Sequence, residues 1–306
     1  MHKLQSVVGI FLRGFAMGCA DVVPGVSGGT IALITHIYER VIGAITKIDL
    51  LAINLFFRGQ FSKFWTRIDG NFLLVLFCGI LTAIFTLANS IIWLLENQPV
   101  LVWAFFSGLI FASAIYLLMQ LSRDQKMRQL GYILIGVVLV ISLGFLRADL
   151  SNPTLLVVFL SGFAAISAML LPGISGSFIL LMIGLYEPTV EAVRSLDGIY
   201  LGCFALGAGC GFVVFSRLIE WTLRNYHHQT LMFLVGLLFG SLNATWPWKD
   251  GSASNPLSQN LSPSTYAEMF GSAELGKVAL AFLTALALVW IIEYLGRNQR
   301  RAVEPD

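Results

Sequence analysis

The sequence predicts an all-α polytopic membrane protein made of two inverted-topology repeats. Each repeat is a broken helical hairpin, read as re-entrant, followed by three transmembrane helices. Three observations carry this prediction. First, 57% of the 306 residues are hydrophobic and only 12% are charged, about half the roughly 25% charge of soluble domains. Second, the chain matches itself at a fixed spacing. Third, its basic residues gather on one side of the implied membrane. Nineteen Lys and Arg with seventeen Asp and Glu cannot clothe a globule of this length. That excludes a soluble enzyme, a disordered chain and a nucleic-acid binder, the last of which needs a basic patch.

Taken in order, apolar segments run over 4–23, 29–46, 71–95, 100–120, 130–147, 153–171, 177–193, 199–223, 231–246 and 274–296. A helix needs about 20 residues to cross the hydrocarbon, and the segments from 71 in the first half and from 199 in the second are read as full spans. The pair 4–23 and 29–46 is different, because Pro24-Gly25-Val26-Ser27-Gly28-Gly29 interrupts it. Proline lacks an amide donor and glycine favours non-helical angles. Pro172-Gly173-Ile174-Ser175-Gly176 breaks the pair 153–171 and 177–193 in the same way. Arms of this length permit either re-entry or a double crossing.

The two breaks belong to the internal repeat. A shift of 148 residues lays Gly14–Glu39 over Gly162–Glu187, with 12 of 26 positions identical, among them the Pro-Gly, the Ser-Gly and the Tyr-Glu. The match resumes at an offset of 128, where Trp93 falls on Trp221, Gly108 on Gly236 and Phe111 on Phe239. Such weak internal symmetry is common in transporters. The halves are 1–150, with hairpin 4–46, an interfacial helix near 61–68 and spans 71–95, 100–120 and 130–147, and 151–306, with hairpin 153–193 and spans 199–223, 231–246 and 274–296. Either hairpin geometry gives an odd number of crossings per half, so the halves invert. With both termini cytoplasmic, fourteen Lys and Arg lie inside and only Arg147, Arg194, Lys249 and Lys277 outside, with Arg13 in the first hairpin, as the positive-inside rule expects.

Residues 61–68 place Phe61, Phe64, Trp65 and Ile68 on one helical face, which suits the cytoplasmic interface. Residues 246–272 read as an interface anchor at Trp246 and Trp248 followed by an outer loop. Cys19, Cys78, Cys203 and Cys210 lie in apolar stretches and read as packing residues. The apolar run after His2 and Lys3 lacks a cleavage pattern and reads as retained. No metal or other cofactor is implied.

Non-helical backbone at membrane depth survives only inside protein or against a wet cavity. After each break a helix begins, at Gly28-Gly29-Thr30 and at Gly176-Ser177, and a helix start offers free N–H groups and partial positive charge. Two opposed starts, with Ser27, Thr30, Ser175 and Ser177 as hydroxyl donors, make an anion site. Intramembrane charges usually face an interior. Arg13 is a candidate cation for the anion. Asp21, eight residues on along the same helical face, either holds Arg13 or carries a proton or sodium ion. Glu39 and Glu187, each after a tyrosine, are candidate gating or coupling carboxylates. The bland alternatives are tight helix packing at the glycines, a structural Arg13–Asp21 pair and ordinary interfacial glutamates. His36 occupies the position of Gly184 and reads as packing. The GxSG strings match the nucleophile loop of rhomboid proteases. That chemistry needs one serine with one placed histidine, and here the string is duplicated, with only His36 in an apolar segment.

The run from Gly14 through Asp21-Val22-Val23-Pro24-Gly25-Val26-Ser27-Gly28-Gly29-Thr30, followed by Ile37-Tyr38-Glu39-Arg40, closely resembles the signature of a bacterial and archaeal membrane family, the PopT-type polyprenyl-phosphate transporters. Leu171-Pro172-Gly173-Ile174-Ser175-Gly176-Ser177 fits as well, and the likeness covers nearly the whole chain. One departure is Thr35-His36, where the family carries small residues, often glycine. The resemblance implies a flippase of the bacterial cytoplasmic membrane that returns undecaprenyl phosphate, the carrier lipid of cell-wall and peptidoglycan synthesis, to the inner leaflet. A bare phosphate cannot enter hydrocarbon, so a midplane site reached by alternating access would have to hold it. The runner-up is a small-anion channel or ion-coupled exchanger at the same site. The residues leave the coupling ion and the oligomeric state open.

Overall fold

The computed structural model describes residues 7–23, 26–121, 123–143, 153–250 and 258–301. Among these, the first half contains α1 (Val7–Asp21), α2 (Gly28–Ile34), α3 (Tyr38–Thr46), α4 (Leu50–Phe57), α5 (Phe61–Arg67), α6 (Gly70–Asn97), α7 (Pro99–Met119) and α8 (Arg123–Leu143). The second contains α9 (Leu155–Met169), α10 (Gly176–Met182), α11 (Tyr186–Ser195), α12 (Gly198–Asn225), α13 (His227–Ser241), α14 (Pro263–Phe270) and α15 (Leu275–Arg301). Pro24, Gly25 and the boundary at 150 and 151 lie outside the described residues.

Among the described residues, four helices are each long and apolar enough to span a membrane, namely α7, α12, and the stretches Gly70–Leu87 of α6 and Leu275–Ile292 of α15, and α10 with α11 passes the same test as a bent pair. One expected span is too short to be one. α13 has 15 residues, about 22 Å of rise against roughly 30 Å of hydrocarbon. Met232, Leu234, Val235, Leu237 and Leu238 on it are at most 1% exposed. It is a core helix clad in protein, for which a full lipid-facing length is not required. Its packing partner α8 has an apolar part over Gln129–Leu143, and 144–150 lie outside the described residues.

The arms after the breaks differ from the single segments expected over 29–46 and 177–193, because each is two helices. The chain turns between α2 and α3 at His36, with φ 57°, and between α10 and α11 at Gly184, with φ 72°. These two residues are repeat counterparts. The left-handed backbone suits glycine, and a histidine in that place concealed the turn. α10 and α11 bend by 110°. With seven residues each, α2 and α10 rise about 10 Å, too little to cross a bilayer.

Four close helix pairs form the frame: α1 with α6, α9 with α12, α7 with α15 and α8 with α13. Glycine permits each approach. A Cβ on Gly14, Gly79, Gly162 or Gly207 would collide with the carbonyl of Leu76, Phe11, Phe204 or Phe159 respectively. A Cβ on Gly108 would stand 2.5 Å from the Phe282 carbonyl, and one on Gly236 would strike that of Ile133. The first two pairs form within a half, whereas the last two exchange helices between halves. α7 and α13 also pack on each other, and the rings of Phe111 and Phe239, counterparts at offset 128, have centroids 6.3 Å apart. Trp103 and Ile110 of α7 are fully buried in this centre.

The linker near 46–70 holds α4 as well as the expected helix at 61–68, which is α5. Asp49 caps α4 by accepting from the Ala52 amide at 2.9 Å, and Arg67 grips its other oxygen at 2.5 Å. The bond from Arg67 holds the Asp49 carboxyl below the usual carboxylate range. Leu50 and Phe57 are more than 80% exposed, an apolar face of the kind that lies in a membrane interface. The expected loop over 246–272 contains α14, which Ser262 caps through the Thr265 amide with Pro263 in the first turn. It also contains the antiparallel bridge from Lys249 to Asn260. Residues 251–257 lie outside the described residues.

Candidate functional site

The two broken tips meet in the interior. Ser27, 1% exposed, ends the extended entry to α2. Its Oγ accepts from the Gly29 amide at 3.1 Å and donates to the Leu171 carbonyl at 3.3 Å. Thr30 is fully buried, and its Oγ1 accepts from the Gly173 amide at 3.0 Å. The hydroxyl of Tyr38, 3% exposed, donates to the Leu170 carbonyl at 2.9 Å. The start of α2 and the turn into α3 are thereby bonded to the backbone of the opposite tip. These bonds satisfy backbone groups that the proline-glycine breaks leave without helical partners.

The two helix starts are not equivalent. Asp21, the last residue of α1, turns its carboxylate onto the start of α2 and accepts from the Gly28 amide at 2.7 Å. A Cβ at Gly28 would come within 2.6 Å of that carboxylate, so glycine is what lets the acid sit there. Together with Ser27, Asp21 saturates the first turn of α2, in the manner of anions at helix starts. On the other side, Ser175 makes no side-chain cap to α10. Its Oγ pairs instead with Ser177 Oγ at 2.8 Å. Gly176 lies against the backbone of Ala165, where a Cβ would stand 2.8 Å from the carbonyl oxygen. Gly173 adopts φ 86°, beside Ser241 and the carbonyl of Leu237.

Of the residues singled out from the sequence, the structure brings together Ser27, Gly28, Gly29, Thr30 and Asp21 with the Leu171–Gly173 backbone. Ser175, Gly176 and Ser177 form the matching tip. Arg13 is half-buried on α1, eight residues before Asp21 and so about 12 Å away along the axis. Glu39 is not at the tips. It lies in the first turn of α3, 3.6 Å from His227 Nδ1 at the corner between α12 and α13. Glu187 lines a cleft of about 720 Å³ along α11, with Tyr186, Val190, Glu191 and Arg194. Pro172 is buried at its break.

Sequence reasoning missed two participants. Tyr38 stands there only as the neighbour of Glu39, although it is one of the twelve positions the repeats share. His36 reads as packing. Its Nε2 does lie 3.2 Å from the Tyr116 hydroxyl, but it also occupies the turn that ends α2.

The fold and the site together define a polytopic helical membrane protein in which two broken hairpins meet inside a frame of paired helices. Residues 17–261 match the model of the undecaprenyl phosphate translocase-like family, and the chain belongs to that family. It is 39% identical over 301 residues to a polyprenyl-phosphate transporter of Vibrio cholerae, covering 95% of this chain and 97% of the relative. It is 33% identical over 254 residues to a polyprenyl-phosphate transporter of Staphylococcus aureus, covering 77% of this chain and 85% of that one. No solved structure matches. The family and its relatives are transporters, not enzymes.

Proposed function

We propose that this protein carries undecaprenyl phosphate, or a related polyprenyl phosphate, from the outer to the inner leaflet of the bacterial cytoplasmic membrane, with both of its own termini cytoplasmic. The names of the relatives support the cargo. The observation that carries the mechanism is the carboxylate of Asp21 on the Gly28 amide. It marks the start of α2 as a place where an anion is stabilised, and in this conformation Asp21 is that anion. A phosphate has the same requirement for N–H donors. It binds first at the start of α10, with Ser175, Gly176 and Ser177, and then displaces Asp21 from the Gly28 amide, with Gly29, Ser27 and Thr30 alongside. Arg13 supplies positive charge along α1. The displaced Asp21 takes a proton or a sodium ion, which couples transport to an ion gradient. Glu39 and Glu187, at the far ends of the two hairpins, act in gating.

The isoprenoid tail remains in lipid throughout, since only the headgroup needs shielding from hydrocarbon. Alternating access by two inverted repeats is supported by the helix exchange between halves and by the Phe111–Phe239 contact between counterparts, an arrangement that a local twofold axis generates.

The test is flipping of a labelled polyprenyl phosphate in proteoliposomes. R13A and D21N are expected to reduce the rate at least tenfold while the proteins still insert and elute as folded species. Undiminished flipping by both variants would overturn the assignment of the site. Conduction of small anions without movement of the lipid would overturn the cargo.

A further inference from the structure

The two hairpins are related by sequence but held differently. Tyr38 is 3% exposed, Ile42 1% and Ile45 7% on α3, whereas on α11 Tyr186, the counterpart of Tyr38, and Val193, the counterpart of Ile45, are 39% and 55% exposed. α3 packs on α12 of the other half. α11 packs within its own half, on α12, with Thr189 Oγ1 2.9 Å from the Tyr200 hydroxyl, and its own residues line an open cleft of about 720 Å³. The bond from Tyr38 to the Leu170 carbonyl ties the closed hairpin to the opposite tip. Repeat symmetry names the partner for Tyr186: Leu170 corresponds to Val22, at the end of the first tip. Both the tyrosine and the tip are thus duplicated, and one copy of the latch is made while the other stands open.

We propose that Tyr38 and Tyr186 are alternating latches, positioning residues that hold first one hairpin and then the other against the opposite tip. The described conformation is latched at Tyr38 and open along α11. In the opposite conformation Tyr38 leaves Leu170, α3 swings off α12, and Tyr186 donates to the Val22 carbonyl as α11 closes its cleft. The two bonds compete, because closing one hairpin withdraws the tip that the other must reach. The tyrosines thereby set the balance between the two access states. This proposal rests on the alternating-access reading above.

The test uses thiol labelling, which needs no substrate. Cys19, Cys78, Cys203 and Cys210 are replaced by alanine, and Ile42→Cys is introduced on the latched face of α3. A small polar maleimide reacts with the introduced thiol only when α3 opens, so the rate follows the minor population. Y38F is expected to raise the rate about fivefold, the equilibrium weight of one ordinary hydrogen bond. Y186F is expected to lower it about fivefold, and the double variant to return near the parent. Loosening of α3 alone would also raise the rate in Y38F, so Y186F decides: a fall supports the latch, and no change or a rise overturns it. Y186F serves equally if Y38F fails to fold. Because no cargo is present, the result stands apart from flipping assays. Latching without lipid movement would sink the cargo assignment only, and lipid movement with unresponsive labelling would sink the latch only.

Discussion

At the scale of single residues, polar groups in this chain are placed where backbone or charge demands them. Lys249 is the sharpest case outside the spanning helices. It is 4% exposed, with Nζ 3.1 Å from Asn260 Oδ1 and 5.9 Å from the centroid of the Trp103 ring. Burial disfavours its charge and pushes its pKa down to about 8. The unfolded side chain titrates near 10.4. Between these values the unfolded state binds more protons than the folded one, so stability rises with pH across that window. Below pH 8 the cost of the buried charge is fully present. Thermal unfolding in detergent should give a midpoint that climbs from pH 8 to pH 10, and K249M should remove the climb. An equal climb in both proteins would place its origin elsewhere. Nothing in the sequence around Trp248-Lys249-Asp250 distinguishes this lysine from a surface one, because the bridge to Asn260 that buries it depends on a partner eleven residues away. His36 was illegible for a related reason. Its left-handed turn becomes visible only when Gly184 is set beside it.

At the scale of elements, the legible parts were those written as local patterns. The proline-glycine breaks, the amphipathic stretch that forms α5 and the longest spans all emerge from composition and spacing. α4 was not expected, although Asp49 before an apolar run is a capping signal. In the sequence α13 reads as a full span because apolarity cannot tell a helix buried in protein from one facing lipid. The pairing of helices across the halves was beyond local pattern altogether, yet its agents, the glycines, were in plain view. They make a direct prediction. Alanine at Gly207 would drive a methyl into the Phe159 carbonyl of α9, whereas a methyl at Gly43 on α3 would have nothing within 4 Å. G207A should therefore destabilise by about 2 kcal/mol or more, in the range of overpacking. G43A should stabilise by up to about 1 kcal/mol, the helix-propensity difference. Unfolding midpoints of the two variants measured side by side check this, and equal shifts would mean that the α9–α12 contact yields readily.

At the scale of the whole molecule, those same contacts determine what can move. Where a carbonyl of one helix lies against the glycine of another, as between α9 and α12 or α1 and α6, sliding meets backbone atoms that cannot rotate away. Close-packed contacts of this kind switch as units rather than deform. Motion must then fall between such units, at contacts made by side chains or by bent turns. The corner where Glu39 of α3 faces His227 beside α12 is one, at 3.6 Å. By contrast, the thiol of Cys203 on α12 bonds to the Leu155 carbonyl on α9 at 3.0 Å, inside a unit. Two cross-links therefore have opposite expected effects on flipping of polyprenyl phosphate in proteoliposomes. A short bismaleimide joining E39C to H227C ties α3 down and should reduce flipping at least tenfold. A link between L155C and Cys203 fastens helices that already travel together and should leave the rate within about twofold. If the second link also stops transport, α9 and α12 must slide during the cycle, and the glycine contacts are not the rigid joints their geometry implies.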